Sequence, residues 1–369
     1  MSSKMFLKET VIEAARQRIA WLFDEFETVI VNFSGGKDST IVYNLALEVA
    51  RAKGRLPLPV FFIDQEGEWQ SVIDYIRAVM NNPDVQPLWL QCPIKILNAT
   101  SPFSPWLHCW EPGAEWMRDR EPNSIHENTY GTDRFGKLFE AFLSAEYADQ
   151  RVARIAGVRC EESPARWWGL TRGNVYKGVT WGAPENRKLQ HYVFYPVYDW
   201  SYTDVWKAIH EHGWDYCPLY DAMYQYGMPV RKMRVSNVHH ESAVGTLEYL
   251  QDIEGETWNR LTKRLAGVNA VAQMQGDWFM PSELPRMFAD WREYRDHLLK
   301  NLVPAGELQD GLLHKFALGE RSIADEYHDE LHRLHIHMIL VQDFEGTKWT
   351  TWIAGNAAKQ RCRQLPPQE

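Results

Sequence analysis

The sequence predicts a doubly wound α/β fold: a mainly parallel sheet with helices on both faces, followed by a mostly helical C-terminal extension. Three observations predict it. Segments of strand length alternate with segments of helical periodicity from residue 9 to about residue 215. The first two strand-length runs, Val29–Phe33 and Leu58–Ile63, are mostly apolar, the pattern of strands buried on both faces. A Gly-Gly turn joins the first such run directly to a helix, the usual grammar of a βα unit.

Taken in order, residues 9–26 place Val11, Ala15, Ile19, Leu22 and Phe26 at helical spacing, and Val29-Ile30-Val31-Asn32-Phe33 reads as the first strand. Ser34 to Ser39 breaks the pattern. Helical spacing resumes from Thr40 to Lys53, and Gly54 is a natural stop. Leu58 to Ile63 is a second strand, residues 68–81 a helix, and Val85 to Leu90 a third strand. Residues 92–133 carry Pro, Trp and Gly without a period, and read as a long irregular insertion able to act as a lid. A helix over 134–148 leads to a strand over 152–157. Residues 174–181 and 190–197 suggest a hairpin turning at Gly182-Ala183-Pro184. Ser201, with Asp204 three residues on, caps a helix that runs to His212 and stops at Gly213. Beyond about 235 the chain is helix-like, with one strand pair expected near Met338–Gln342 and Lys348–Ile353. The length of 369 residues suits two domains, with boundaries expected at 1–235 and 236–369.

Charge narrows the function classes. The chain is −9 overall, a poor basis for direct binding to duplex DNA. Within it, residues 151–190 carry eight basic side chains (Arg151, Arg154, Arg159, Arg166, Arg172, Lys177, Arg187, Lys188) against Glu161, Glu162 and Glu185. Such a segment is either a solvated face or a polyanion pocket. Five cysteines with no C-x-x-C pair exclude a disulfide framework and an iron–sulfur cluster, and point to a reducing, cytoplasmic setting. Neither a signal-peptide core nor a membrane-length apolar run is present.

The chemistry concentrates at Ser34-Gly35-Gly36-Lys37-Asp38-Ser39. Two glycines allow close backbone approach, the following helix aims free N–H groups and its positive dipole end at the turn, and Lys37 adds a cation. The spacing does not match a Walker A loop. This hexapeptide resembles the PP-loop of the ATP pyrophosphatase superfamily, whose fold is the adenine nucleotide α-hydrolase-like, Rossmann-like sheet. Phe61-Phe62-Ile63-Asp64, Gly157-Val158-Arg159 through Ser163 and Arg166, and Tyr195-Pro196 through Asp204-Val205-Trp206 with Pro218-Leu219-Tyr220-Asp221 resemble its phosphoadenylylsulfate (PAPS) reductase branch.

The resemblance implies that an adenine nucleotide, ATP or PAPS, contacts Ser34, Gly35, Gly36, Lys37, Asp38, Ser39, Asp64, Glu66, Gly157, Arg159, Ser163 and Arg166. Lys37, Arg159 and Arg166 would stabilise charge at the α-phosphate. Asp38, Asp64 and Glu66 are candidates for holding Mg²⁺. The expected reaction is cleavage of ATP between the α- and β-phosphates, adenylylating an acceptor and releasing pyrophosphate.

Departures from the branch matter as well. The Glu-Cys-Gly-Leu-His nucleophile is missing, as are the iron–sulfur cysteines of its relatives, and Gln65-Glu66 replaces the usual Thr-Gly. These departures resemble the immunoglobulin-binding regulator A-like subgroup. Two alternatives therefore stand: a thiol-dependent PAPS reductase using Cys362, and a nucleotide-sensing regulator acting with a ParB/sulfiredoxin-like partner. Oligomeric state is open. His328, His332 and His335 share a helix face that either binds metal or faces solvent or a partner. Seventeen tryptophans remain to be placed; Trp69, Trp167, Trp168 and Trp181 lie close to the motifs.

Overall fold

The computed structural model of the chain describes residues 7–98, 106–171, 173, 175–230, 233–235, 237–239, 247–268, 283–344, 346, 349–350 and 352. Two compact units are present. The first is built from described residues within 1–96, 108–237 and 249–260, the second from those within 97–107, 238–248 and 261–369.

The first unit holds a seven-stranded sheet. Its strands are β1 (Thr28–Asn32), β2 (Leu58–Ile63), β3 (Val85–Leu90), β6 (Ser124–Ile125), β7 (Val152–Ile155), β8 (Gly182–Asn186) and β9 (His191–Phe194), in the order β6-β3-β2-β1-β7-β9-β8. Every pairing is parallel except β8 with β9. The doubly wound expectation therefore holds. Val29, Ile30 and Val31 are all buried, as a central strand covered on both faces requires. From β1 the chain builds outward through β2 and β3, then returns to lay β7 on the opposite side of β1. The carboxyl ends of β1 and β7 thus flank the point where strand order reverses, where open α/β sheets form their ligand crevice.

The helices of this unit are α1 (Val11–Glu25), α2 (Lys37–Ala52), α3 (Gln70–Met80), α4 (Phe135–Glu146), α5 (Pro164–Thr171), α6 (Tyr202–His212) and α7 (Leu219–Gln225). Thr10 with Glu13, and Ser201 with Asp204, form complete capping boxes at α1 and α6, and Gly213 ends α6 as expected. Helix α2 begins at Lys37, three residues before the expected start at Thr40, because Lys37-Asp38-Ser39 form a polar first turn.

Three expectations are corrected. The 92–133 insertion is not wholly irregular: β4 (Ile94–Leu97) and β5 (Trp106–Cys109) form a two-stranded sheet, and β6 adds an edge strand beside β3. Gly182-Ala183-Pro184 is strand, not turn, and residues 187–190 make the reversal. Pro184 is tolerated because β8 is an edge strand. Met338 to Leu340 end a helix, α12 (His328–Leu340), rather than forming a strand; Leu331, Leu334, Met338 and Ile339 supply its helical stripe. The proposed partner positions Lys348 and Ile353 lie outside the described residues.

Helices α8 (Leu247–Ile253) and α9 (Gly255–Arg264) follow α7. In the second unit, α10 (Trp291–Leu302), α11 (Glu307–Ser322) and α12 enclose Leu299, Val303, Leu312, Phe316, Leu334, Met338, Ile339 and Phe344. The histidine face of α12 points into this unit, not to solvent. His335 is fully buried, stacked on Phe316 at 3.9 Å, and His332 contacts Glu320 at 3.2 Å. Among the described residues no group of three or more His, Cys, Asp or Glu is arranged to hold a metal, and no helix is long and apolar enough to cross a membrane.

Candidate functional site

The crevice at the strand reversal is lined by the Ser34–Ser39 loop on one side and by residues 157–166 on the other. Gly35 has φ +71°, a backbone that favours glycine, and a β-carbon there would lie 2.8 Å from Val72 Cγ1 on α3. Gly36 is the N-cap of α2 and offers no side chain to its first turn. Ser39 instead organises the loop: its Oγ donates to the Gly36 carbonyl at 2.8 Å, accepts from the Ser34 N–H at 3.3 Å, and lies 3.2 Å from Ser34 Oγ. Thr40 Oγ1 donates to the same carbonyl at 3.1 Å. The Gly35, Gly36 and Asp38 amides find no acceptor among the described hydrogen bonds, so the positive end of α2 is left open to an anion.

The opposite wall is pressed against this turn. A β-carbon on Gly157 would fall 2.4 Å from the Asp38 carbonyl carbon, so only glycine permits the approach. That approach brings Arg159 to Asp38, Nε to Oδ1 2.5 Å, while Lys37 Nζ lies 3.2 Å from Asp38 Oδ2. Arg159 also faces Glu161 at 3.2 Å and Glu162 at 3.7 Å, and Arg166 is paired with Glu162. Ser163 Oγ accepts from the Arg166 N–H at 3.2 Å. Desolvation, followed by the like charge of Arg234, lowers the Arg166 pKa; a guanidinium so placed stays cationic. Ser34, Gly35, Gly36, Lys37, Asp38, Ser39, Gly157, Arg159, Ser163 and Arg166 are therefore gathered on two facing segments.

Asp64 and Glu66 have different surroundings. Both are fully buried. Asp64 Oδ2 accepts from Trp89 Nε1 and Gln91 Nε2, each at 3.0 Å, and Oδ1 accepts from the Glu66 N–H at 2.9 Å and pairs with Arg118. Glu66, at φ +62°, accepts from the Trp110 N–H at 2.8 Å and the Met117 N–H at 3.3 Å. Their oxygens are occupied by N–H donors, and Asp38 is held by two cations. This donor set does not fit the expected Mg²⁺, which needs free carboxylate oxygens. The two acids instead anchor the insertion, and Trp89 and Trp110 supply indole donors for that purpose, Trp110 Nε1 reaching the Asp64 carbonyl at 2.8 Å. Glu68 beside them is buried, and burial followed by the Asp64 charge raises its pKa well above the usual carboxylate range.

Sequence reasoning assigned no role to several residues around the loop. The Tyr220 hydroxyl accepts from the Lys37 N–H at 3.0 Å, and Val235 Cγ2 lies 3.4 Å from where a Gly36 β-carbon would be. Asn237 Nδ2 donates to Gln65 Oε1. Burial pushes the Cys92 thiol up to about 11 and the Cys217 thiol up to about 12, so neither is a ready thiolate. Cys362 and Arg172 lie outside the described residues. A cleft of about 830 Å³ lies elsewhere, at the carboxyl ends of β3 and β6, lined by Arg120, His126, Asn128 and Asp133 among others.

A strand, an open helix start and a facing Gly-x-Arg segment are a family-level arrangement, and comparison of sequences identifies it. The model of the phosphoadenosine phosphosulfate reductase domain matches residues 28–226, more than half of the chain and both walls of the crevice. The chain belongs to that family. As a member of the phosphoadenosine phosphosulfate reductase domain family, it carries a second matched region at residues 227–322, described as a domain of unknown function (DUF3440). Uncharacterized protein YbdN of Escherichia coli (strain K12) is 31% identical over 316 residues, 81% of this chain and 77% of that one. Sulfate adenylyltransferase subunit 2 of Agrobacterium fabrum (strain C58 / ATCC 33970) is 22% identical over 206 residues, 54% of this chain and 59% of that one. The chain thus spans less than two thirds of that relative. Among solved structures, Candida glabrata FMN adenylyltransferase in complex with FMN and the ATP analogue AMPCPP aligns with 59% of this chain and 64% of its own at 15% identity, with a TM-score of 0.35.

Proposed function

We propose that this family member binds ATP with its β- and γ-phosphates on Ser34–Ser39 and transfers the adenylyl group to an acceptor, releasing pyrophosphate. The observation that carries the reading is the open N-terminal turn of α2 facing Arg159 and Arg166 across a crevice at the strand reversal. Similarity to a sulfate adenylyltransferase subunit supports the same class of reaction.

In this reading the acceptor's nucleophile attacks the α-phosphorus. The bond from that phosphorus to the bridging oxygen breaks, pyrophosphate leaves with the electron pair, and the acceptor's proton passes to solvent. Charge grows on the bridging and non-bridging oxygens, where Lys37, Arg159 and Arg166 stabilise it. Binding a phosphate chain draws Lys37 and Arg159 away from Asp38, so the resting ion pairs hold the cations in place until substrate arrives.

The test is pyrophosphate release from ATP, with PAPS as a comparison substrate. Lys37→Ala and Arg159→Ala are each expected to reduce release on the order of a hundredfold, the usual scale for removing one electrostatic stabiliser. Absence of any ATP binding by calorimetry would falsify the reading.

A further inference from the structure

The nucleotide reading leaves one polar group in the crevice unassigned. The Lys37 N–H is the first amide of α2, and it donates to the Tyr220 hydroxyl at 3.0 Å. Tyr220 lies on α7 and is buried, with Trp206 packed edge-on against its ring at 5.1 Å and Lys37 Nζ 5.6 Å from the ring centroid. The hydroxyl is 3.7 Å from where a Gly36 β-carbon would be, so it faces the loop itself. Burial raises the pKa of Tyr220 and keeps the phenol neutral. A neutral phenol is an acceptor and a donor at once. Its acceptor side is taken by Lys37, and no described group accepts its proton. Buried hydroxyl protons are seldom left without an acceptor.

We infer that Tyr220 is a further phosphate-binding residue, accepting from the first amide of α2 and donating its O–H to an oxygen of the bound pyrophosphate portion of the nucleotide. The ligand chemistry is a phosphate oxyanion, and the inference rests on the nucleotide reading above. In effect the hydroxyl carries the helix-end N–H outward to the anion, with the two hydrogen bonds polarising in the same direction.

A purely structural role makes the opposite prediction. If Tyr220 only caps Lys37, Tyr220→Phe frees that amide for the anion, and phosphate binding tightens or stays the same. If Tyr220 donates to phosphate, the substitution weakens it. Calorimetric titration of wild type and Tyr220→Phe with inorganic pyrophosphate, ATP and adenosine separates the two. The expected result is a Kd for pyrophosphate and ATP higher by about tenfold, the lower end for a hydrogen bond to a charged group, with adenosine affinity unchanged. Equal or tighter pyrophosphate binding overturns the inference, as does an equal loss for adenosine, which marks general damage. Should the Phe protein melt early, titration below its melting temperature is paired with Tyr220→Trp, whose indole donates but does not accept. That variant must bind pyrophosphate more tightly than the Phe protein, and failure to do so counts against the hydroxyl. Wild-type protein that binds none of the three sinks the nucleotide reading instead.

Discussion

Single atoms decide the geometry of the crevice. At Gly157 a methyl group would meet the Asp38 carbonyl carbon at 2.4 Å, its oxygen at 2.5 Å and the Ser39 nitrogen at 2.7 Å. All three are backbone, so relief requires moving the first turn of α2. Gly157→Ala is expected to cost about 1–3 kcal/mol, the range for overpacking, and to reduce nucleotide affinity as well. Gly136→Ala is the control: it lies in the first turn of α4 with open space around it, and no loss of stability is expected. Thermal melts and ATP titrations of the pair check this, and a harmless Gly157→Ala would show that the walls are not locked together. The loop, Gly157, Arg159 and Arg166 were legible in the sequence because each belongs to a short ordered motif. The charge balance was not. The basic run 151–190 is largely neutralised in space: Arg151 lies near Glu25 and Glu27, Lys177 pairs with Glu25, and Arg159 with Asp38. Those partners stand more than a hundred positions away, where a segment count does not look.

At the scale of elements, the sequence was most informative where burial is continuous. Leu58–Ile63 and Val85–Leu90 are strands with the expected bounds; the first is apolar throughout, as a strand covered on both faces is, while the second carries an exposed Gln86 and is continuously buried only from Leu88 to Leu90. The turn expected at Gly182-Ala183-Pro184 falls within β8, because Gly and Pro mark edge strands as well as turns. Long-range capping leaves no local signature at all. Helix α3 has Trp69 at its N-cap, which gives no side-chain hydrogen bond. Its first amides donate instead to a residue 184 positions on: the Gln70 N–H to Glu254 Oε2 at 2.7 Å and the Ser71 N–H to Glu254 Oε1 at 3.0 Å. Thr257 Oγ1 donates to the same carboxylate at 2.8 Å. Helix α3 in turn packs Val72 and Ile76 over Gly35, and Tyr75 reaches Thr40 at 3.2 Å. The residues around 254 therefore steady the loop through α3, although they lie in the second matched region. Glu254→Ala is expected to lose about 1–2 kcal/mol, the scale of a lost cap, with Glu254→Gln losing less because one acceptor oxygen remains. Amide hydrogen exchange at Gln70 and Ser71 should accelerate in Glu254→Ala. Unchanged exchange there would remove the capping argument.

Over the whole molecule, the two units respond to different variables. On the proposed reading phosphate ligands act on the first, since every residue of the candidate site lies within it. Acid acts on the second, through the buried face of α12. Burial, reinforced by the charges of Arg295 and His332, holds His335 down to about 2, well below its ordinary value of 6.5. His332 is lowered too, by burial and Arg295, while Glu320, held by Arg295, is also below its ordinary range. His328 is the remaining titratable neighbour on that face. The sign follows from linkage. Above pH 6.5, His335 is neutral folded and unfolded, and pH has no purchase. Below it the unfolded chain takes up a proton that the folded one refuses, so stability falls as pH drops toward 2, by up to about 1.4 kcal/mol per pH unit for one histidine. Lowered Glu320 adds loss in the same direction. Pyrophosphate at a hundred times its Kd adds about 2.7 kcal/mol to whatever binds it. Calorimetric melting is therefore expected to show two transitions. Pyrophosphate raises one, and that rise disappears in Lys37→Ala. Lowering the pH from 6.5 to 4.5 depresses the other by more than it does in His335→Phe, a ring that can keep the stack on Phe316. A single transition moved by both variables would mean that the units unfold as one cooperative body, and that the separation seen in their internal contacts has no thermodynamic counterpart.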